Sequence, residues 1–399
     1  MKQKDLSLEA VRGLAALVVV ACHIALGFFP QTLGYNPEIF GHTGLRGTPL
    51  FAFLNGSSAV AVFFVLSGYV LSKSFFEKHD RAILARASIK RWFRLLGPVL
   101  LSCLFSYAIF SLNLYHFNEA ADITRSTWLK DHLFNGADQA RLSWFDAAWQ
   151  GATTFFTGKT YYNTPIWTMR PEFLGSYVVF ALALVISFFR FRTGPALALL
   201  IAALVCALLV EKQIGLFVLG VGLGFLTPRL PRLTPLQTFV MIVIALYLLG
   251  FTNGSVGAYS LFPSSAYVVY ICQAVGSVAL VAAVELSKIS MRPVFRPAAD
   301  YLGRLSFPIY LVRIPILCSL GSICLVQTKS AILAGIMTLM ASLIVGALLA
   351  SFNDWWTKLV DDTTHRLVPR VSLMANAMSG QPISAVGTPI VERPGLHRP

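Results

Sequence analysis

The sequence is poor in charged residues and has no motif for a disulfide framework or a zinc site. Charged side chains make up only 13% of the 399 residues, whereas soluble domains carry about 25%. The six cysteines form no CxxC pair, all of them lie within apolar runs, and no histidine spacing suggests zinc. We therefore predict buried membrane thiols and no metal site, and a soluble globular domain is excluded.

The net charge of +14 does not indicate a nucleic-acid partner. The basic residues lie in short clusters between long apolar runs, as in the cytoplasmic loops of membrane proteins, and no solvated basic domain is present. Hydrophobic residues make up 56% of the chain, and the mean hydropathy is +0.68. The predicted surroundings are therefore a lipid bilayer.

The apolar runs predict an all-α polytopic membrane protein with about ten transmembrane helices. A bilayer core of roughly 30 Å needs about 20 apolar residues per helix. The two spans between residues 195 and 228 are short and could be tilted or re-entrant. The predicted spans are 9–29, 56–76, 95–115, 171–190, 195–211, 213–228, 236–252, 267–287, 305–326 and 330–352.

Lysine and arginine are concentrated in alternate loops, which predicts the orientation and the domain organisation. The densest cluster lies between spans two and three, and the positive-inside rule then places both termini in the cytoplasm. The membrane domain is predicted over 1–355, with outer loops at 30–55 and 116–170. The second loop is rich in tryptophan, which suggests interfacial helices. Residues 372–399 are predicted to be a disordered cytoplasmic tail.

Two ionisable residues inside the first span are candidates for function, because each is costly to keep in a bilayer. Arg12 and His23 are eleven residues apart and lie on one helical face, separated by roughly 16 Å. His23 could be a core histidine bonded to a neighbouring helix, or a neutral imidazole that accepts a proton from a hydroxyl. Arg12 could be a cation that extends to the helix end, or part of an anion site.

The second span and the following loop carry two further pairs. Ser67 and Gly68 lie near mid-membrane, where small residues let helices approach, so packing is the favoured role. Arg91 and Arg94 are three residues apart on one face of a helix. They could reflect topology alone, or they could bind the phosphates of a cytoplasmic ligand.

The fourth and ninth spans contain the remaining candidates. Glu172 follows Pro171 at the predicted start of a helix, and a favourable position at the helix N-terminus could alone explain both residues. Arg313 lies about eight residues inside its span and needs a partner. Glu172 and a ligand anion are both possible partners for it.

Five motifs, taken in order, resemble those of the acyltransferase-3 family of membrane O-acyltransferases. The resemblance covers spans one to nine. The family pattern begins with Arg-Gly-Leu-Ala and a histidine eleven residues after the arginine, and it ends with Ser-Tyr-x-x-Tyr-Leu-x-His. The matching residues are Arg12 to Ala15 with His23, Phe63 to Tyr69, Arg91 with Arg94, Trp167 with Glu172, and Ser306 to Arg313.

Two positions depart from this pattern. Arg313 stands where the family has its second histidine, and Ala61 stands where many members have aspartate. Any chemical role of that histidine is therefore altered here, because arginine cannot act as a base at physiological pH. It could bind an anion or stabilise an oxyanion.

The resemblance implies an integral membrane enzyme, expected in a bacterial inner membrane, that transfers an acyl group to a hydroxyl of an envelope glycan or glycolipid. The donor substrate would be cytoplasmic acyl-CoA, most often acetyl-CoA, with no tightly bound cofactor. His23 would be the general base or a transient acyl carrier. The other implied roles are a second catalytic group at Glu172, phosphate binding by Arg12, Arg91, Arg94 and Arg313, and substrate or structural contacts from Ser67, Gly68, Trp167 and Tyr310.

A secondary transporter of an anionic or lipid-linked sugar is the alternative from another functional class. In that case Arg12, His23 and Arg313 would line a solute path through the membrane. Transport without acyl-CoA would support this alternative.

Overall fold

The computed structural model describes residues 5–34, 44–137, 142–254, 257–287 and 293–378, with side chains up to residue 364. This part of the chain is helical and contains no strand. Short 3₁₀ turns connect several of the helices. The helices are α1 Leu6–Phe28, α2 Gly56–Lys78, α3 Arg81–Ser111, α4 Phe117–Thr124, α5 Trp144–Thr157, α6 Met169–Phe188, α7 Thr193–Val210, α8 Lys212–Leu226, α9 Pro235–Leu249, α10 Ala266–Ser287, α11 Arg296–Ile316, α12 Ser322–Thr328 and α13 Ala331–Met378.

The predicted all-α polytopic membrane fold is confirmed, and the count of ten spans is approximate. Every predicted span corresponds to at least one helix. Within the described residues, eight helical segments are long and apolar enough to cross a membrane. The other two predicted spans are α8 and α9, which have 15 residues each. At 1.5 Å per residue such a helix is only about 22 Å long, shorter than a bilayer core.

Small residues allow the close helix contacts at the centre of the bundle. α1 runs beside α11, and a side chain at Gly13 would meet Leu302 Cβ at 2.6 Å. α2 runs beside α8 in the same way, where Gly68 lies against the backbone of Phe217. Because neither glycine has a Cβ, the facing backbones approach more closely than larger side chains would allow.

The ninth predicted span, 305–326, is not one continuous α-helix. α11 contains Pro308 and Pro315, and it is followed by a π-helical turn, Leu317–Gly321, before α12 begins. Proline cannot donate a backbone hydrogen bond, so the helix geometry changes where it occurs. Pro315 leaves the carbonyl of Leu311, four residues earlier, without its helical donor, and the Ser319 hydroxyl donates to the carbonyl of Pro315 over 2.6 Å.

The predicted outer loop, 116–170, lies partly on the surface of the bundle and partly in its interior. Trp144 and Trp149 on α5 are exposed, as expected for interfacial helices. Asn163, however, is fully buried, and its amide donates to the carbonyl of Leu311 on α11 over 2.8 Å. The 3₁₀ turn Thr164–Thr168 follows it and leads into α6. This segment therefore forms part of the interior.

α13 continues beyond the predicted tenth span. It includes the first residues of the predicted tail, and residues 379–399 lie outside the described part of the chain. The prediction of a disordered tail therefore stays a prediction.

Candidate functional site

A cavity of about 530 Å³ opens between α1, α2, α3, α6, α11 and α13. We call it the basic cavity. Its charged lining residues are Glu9, Arg12, Arg91, Arg94, Glu172, Arg304 and Asp354. Its apolar lining includes Phe63 and Phe307, and its volume lies in the range of small-molecule sites.

Three of the four arginines in the basic cavity are paired with carboxylates. Arg12 lies 3.0 Å from Glu9, one turn earlier on α1. Arg91 pairs with Glu172, and Arg304 pairs with Asp354 at the exposed edge of the cavity. The first pair lies within α1, whereas the other two join helices, α3 to α6 and α11 to α13.

Arg94 is the fourth arginine, and it differs from the other three. Among the described residues, no hydrogen-bond partner or ion pair is found for it. Its side chain is exposed; the charges of Arg91 and Arg12 act on it as like charges, and Asp361 acts on it as an opposite charge without forming an ion pair with it. An anion that entered the cavity would therefore meet a guanidinium group that no described carboxylate contacts.

Glu172 takes part in a network that fixes Arg91. One carboxylate oxygen of Glu172 accepts from the Ser67 hydroxyl over 2.9 Å and also from Arg91. Arg91 Nε donates to the Ser176 hydroxyl, one turn further along α6, over 2.7 Å. The position of Glu172 in the first turn of α6 also suits a negative charge.

His23 lies further along α1 and does not line the basic cavity. Its Nδ1 lies 2.6 Å from the carbonyl oxygen of Val19, so Nδ1 carries the ring proton and donates it to that oxygen. The lone pair is then on Nε2. Arg313 Nε lies 3.3 Å from the same Nδ1, and with this tautomer the contact is not a hydrogen bond.

Arg313 is only 3% exposed, and its partner is not Glu172. Its guanidinium donates to the carbonyl of Tyr310 and lies over the Tyr310 ring, 3.9 Å from the ring centre. No carboxylate among the described residues forms an ion pair with it. Of the two partners left open by the sequence, Glu172 is thus replaced by the backbone and ring of Tyr310.

Tyr310 connects the basic cavity with Arg313 and His23. One side of it lines the cavity, and Arg313 covers its ring. Its hydroxyl donates to the carbonyl of Pro165 over 3.1 Å and accepts from Thr168 over 3.0 Å. Tyr310 therefore lies between the basic cavity and the residues around His23.

The predicted site residues fall into three groups. Gly68 packs against α8, and Trp167 is 44% exposed away from the cavity. His23 and Arg313 contact each other beyond Tyr310. The residues that line the basic cavity are Arg12, Ser67, Arg91, Arg94, Glu172 and Tyr310.

Sequence reasoning missed two parts of the site. Arg304 lies two residues before the last motif, Ser306 to Arg313, and was not among the candidate residues. His132 lies in the predicted outer loop 116–170 and was not among the candidate residues. The centre of its ring lies 4.0 Å from that of Trp128, which in turn lies 5.3 Å from the ring centre of His23. No local pattern in the sequence marks this pairing of loop and helix.

Burial lowers the pKa of His132 to about 4, because the charged ring would lose its hydration. A hydrogen bond to the Trp128 carbonyl raises the pKa, and the nearby charge of Arg313 lowers it. His132 is thus neutral at pH 7, and its Nε2 lies 2.9 Å from the Thr164 hydroxyl.

In the described residues, no group of three or more His, Cys, Asp or Glu side chains could hold a metal ion.

Comparison with models of protein families matches residues 5–351 to the acyltransferase-3 family, described as an acyltransferase domain. No curated protein and no solved structure matches the chain.

Proposed function

Because the chain belongs to the acyltransferase-3 family and is an integral membrane protein, we propose that it is an O-acyltransferase acting on an extracytoplasmic or envelope glycan. The acyl group, acetyl in this proposal, comes from cytoplasmic acyl-CoA. The observation that carries the proposal is the basic cavity with its unpaired Arg94. Membership of the family argues against a secondary transporter.

The basic cavity suits the phosphorylated part of coenzyme A. Arg94 offers an unpaired guanidinium, while Arg12 and Arg304 could exchange their carboxylate partners for phosphate oxygens. The pantetheine arm would then extend between Phe63 and Phe307 toward Tyr310. In this arrangement the opening beside Arg304 faces the cytoplasm of a bacterial cell, in agreement with the positive-inside rule.

His23 is the proposed general base. Its Nε2 takes the proton of the acceptor hydroxyl while the hydroxyl oxygen attacks the thioester carbonyl carbon. The tetrahedral intermediate then loses the coenzyme A thiolate as the carbon–sulfur bond breaks, and the proton passes from Nε2 to the sulfur. The products are the ester and coenzyme A, and His23 returns to its neutral form.

Arg313 and Glu172 support this step in different ways. Arg313 is cationic, buried and adjacent to His23, so it is placed to stabilise the negative oxygen of the intermediate. Glu172 is bound to Arg91 and Ser67. We therefore propose that Glu172 positions Arg91 for the donor instead of exchanging a proton with substrate.

The test is His23→Ala in protein purified into lipid nanodiscs. Labelled acetyl-CoA is supplied with extracted envelope glycans, and both label transfer and coenzyme A binding are measured. Loss of the base should lower transfer by about 10²–10⁴-fold, while coenzyme A binds as before because His23 lies outside the cavity.

His116→Ala is the matched control, because His116 is a partly exposed histidine that immediately precedes α4, and the one ion pair described for its side chain is with Glu119. It should transfer at the wild-type rate. Unchanged transfer in His23→Ala, with correctly folded protein, would overturn the proposal.

A further inference from the structure

A second cavity of about 500 Å³ lies in the outer segment, formed by the loop before α5 and the turn that follows α5. Apart from two glycines, its lining residues each carry a polar group: an imidazole, an amide, two hydroxyls, a phenol and one ammonium group. These groups belong to His132, Asn135, Thr160, Thr164, Tyr161 and Lys159. The volume again lies in the range of small-molecule sites.

One 3₁₀ turn separates this second cavity from the basic cavity. Thr164, at the start of the turn, lines the second cavity, and Thr168, at its end, lines the basic cavity. Both hydroxyls are used, Thr164 by His132 and Thr168 by Tyr310. The two cavities therefore lie at opposite ends of the 3₁₀ turn Thr164–Thr168.

Contacts between aromatic rings link the lining of the second cavity to His23. His132 lines the cavity, and its ring packs on Trp128, whose other neighbour is the ring of His23. On the opposite side, His23 contacts Arg313, which covers Tyr310 of the basic cavity. The proposed base thus lies between the two cavities.

We infer that the second cavity binds the acceptor, a polyhydroxylated sugar that carries a negative charge. This inference rests on the proposed function. Hydroxyl, amide and imidazole groups are the partners that sugar hydroxyls need, since each can donate or accept a hydrogen bond. The acceptor hydroxyl extends past Thr164 toward His23, gives its proton to Nε2, and forms the new carbon–oxygen bond as the carbon–sulfur bond of the donor breaks.

The preference for an acidic sugar follows from the charges of the lining. Lys159 is the one formally charged residue among the described residues that line the cavity, because His132 is neutral at pH 7. A sugar carboxylate would therefore meet a cation and no facing carboxylate in this lining.

His132 is a positioning residue in this scheme. With Nδ1–H donating to the Trp128 carbonyl, Nε2 accepts the hydroxyl proton of Thr164. This fixes the direction in which the oxygen of Thr164 accepts from a sugar hydroxyl. His132→Gln should raise the acceptor KM more than it lowers kcat, and coenzyme A binding should not change.

Gly136 provides a charge test inside the cavity. Its φ is +74°, and a Cβ placed there meets no atom within 4 Å. Asparagine and aspartate both tolerate this left-handed backbone, so Gly136→Asn and Gly136→Asp add the same volume and differ only in charge. Lys159→Gln removes the cation, and Lys130→Gln is its control, because Lys130 is exposed in the same segment but lies outside the cavity.

The experiment measures binding of two matched sugars, digalacturonic acid and galactobiose, to nanodisc protein by saturation-transfer NMR. Wild type and Lys130→Gln should bind the acidic sugar with an affinity about threefold or more higher than that for the neutral sugar. This ratio corresponds to the free energy of an exposed charge pair. Lys159→Gln should remove the preference. Gly136→Asp should bind the acidic sugar more weakly than Gly136→Asn does.

Equal binding of both sugars by wild type, or unchanged binding in Lys159→Gln and Gly136→Asp, would overturn the inference. Release of coenzyme A from acetyl-CoA in the presence of envelope glycans is measured on the same samples. If wild type releases none, the proposed function fails, and the binding measurements still decide whether the second cavity holds an acidic sugar.

Discussion

At the scale of single residues, Arg313 is a buried cation that forms no ion pair with any described carboxylate. A buried cation without a paired anion is costly, and the described residues supply only the carbonyl and ring of Tyr310. Because arginine keeps its charge, the cost is not relieved by loss of a proton. A buried cation at this position has a role if a negative charge forms beside it during the reaction. The oxyanion that forms on the transferred acyl group is such a charge.

Arg313→Met should lower kcat by about 10²–10³-fold, the usual effect of removing one oxyanion donor. Binding of coenzyme A should stay unchanged, because Arg313 does not line the basic cavity. Single-turnover transfer and calorimetric titration of coenzyme A measure the two effects. A loss of donor binding with normal turnover would contradict this role.

Arg94 should contribute to donor binding, because it lines the basic cavity and forms no ion pair with any described residue, so it is available to a phosphate group. Arg94→Gln should weaken coenzyme A binding by about tenfold or more, the value of a hydrogen bond to a charged group. Arg86→Gln on the same helix is the control, since Arg86 pairs with Asp80 and lies outside the cavity. Equal affinities of the two variants, measured by calorimetry, would argue against a phosphate at Arg94.

His132 gives the protein a pH-dependent stability. Its pKa is about 4 in the folded state and about 6.5 in an unfolded chain, so the unfolded chain binds more protons between these values. Stability should therefore fall as the pH falls from 6.5 to 4, by at most about 3 kcal/mol. Thermal unfolding of wild type and His132→Gln across this window measures the effect, and equal pH dependence in both would contradict it.

At the scale of elements, the site depends on helices that approach closely and on interrupted helices. Gly68 brings α2 against α8. Ser67, the preceding residue on α2, donates from its hydroxyl to Glu172. Pro315 and the π-helical turn Leu317–Gly321 follow Arg313 directly. Irregular helix geometry of this kind is common at functional sites.

Gly68→Ala should destabilise the protein by about 1–3 kcal/mol, because the added methyl group would overlap the backbone of Phe217 and no side chain can move to admit it. Gly222→Ala on α8 is the matched control. There the new Cβ would lie 3.7 Å from Leu200, an ordinary contact, so better helix propensity should stabilise the protein by up to about 1 kcal/mol. Thermal unfolding in one detergent compares the two, and similar losses in both would contradict the packing argument.

At the scale of the whole molecule, the two cavities belong to opposite parts of the helix bundle. The basic cavity is lined by residues near the start of α1 and α11, such as Glu9 and Arg304. The second cavity is lined by the outer segment that packs near the far end of α1. This arrangement fits an enzyme that takes its donor from one side of a membrane and its acceptor from the other.

The proposed orientation predicts which ends of the helices are accessible from outside the cell. Ser111 ends α3 and Glu77 lies near the end of α2, and both are exposed. A membrane-impermeant maleimide should label Ser111→Cys in intact cells and should label Glu77→Cys only after permeabilisation. The parent protein with its own six cysteines gives the background. The reverse labelling pattern would overturn the orientation.

The sequence by itself determined that the surroundings are a lipid bilayer, placed the helices, and predicted six of the residues that line the basic cavity. Long apolar runs and loop charges are local properties, and Arg91 and Arg94 share a helix face because of their spacing. Only the tertiary structure decided that Glu172 pairs with Arg91 and that Arg313 lies over the Tyr310 ring. The same holds for Trp128, whose ring packs between those of His132 and His23. These contacts join residues far apart in the chain, and their formation depends on how whole helices pack, which no local spacing encodes.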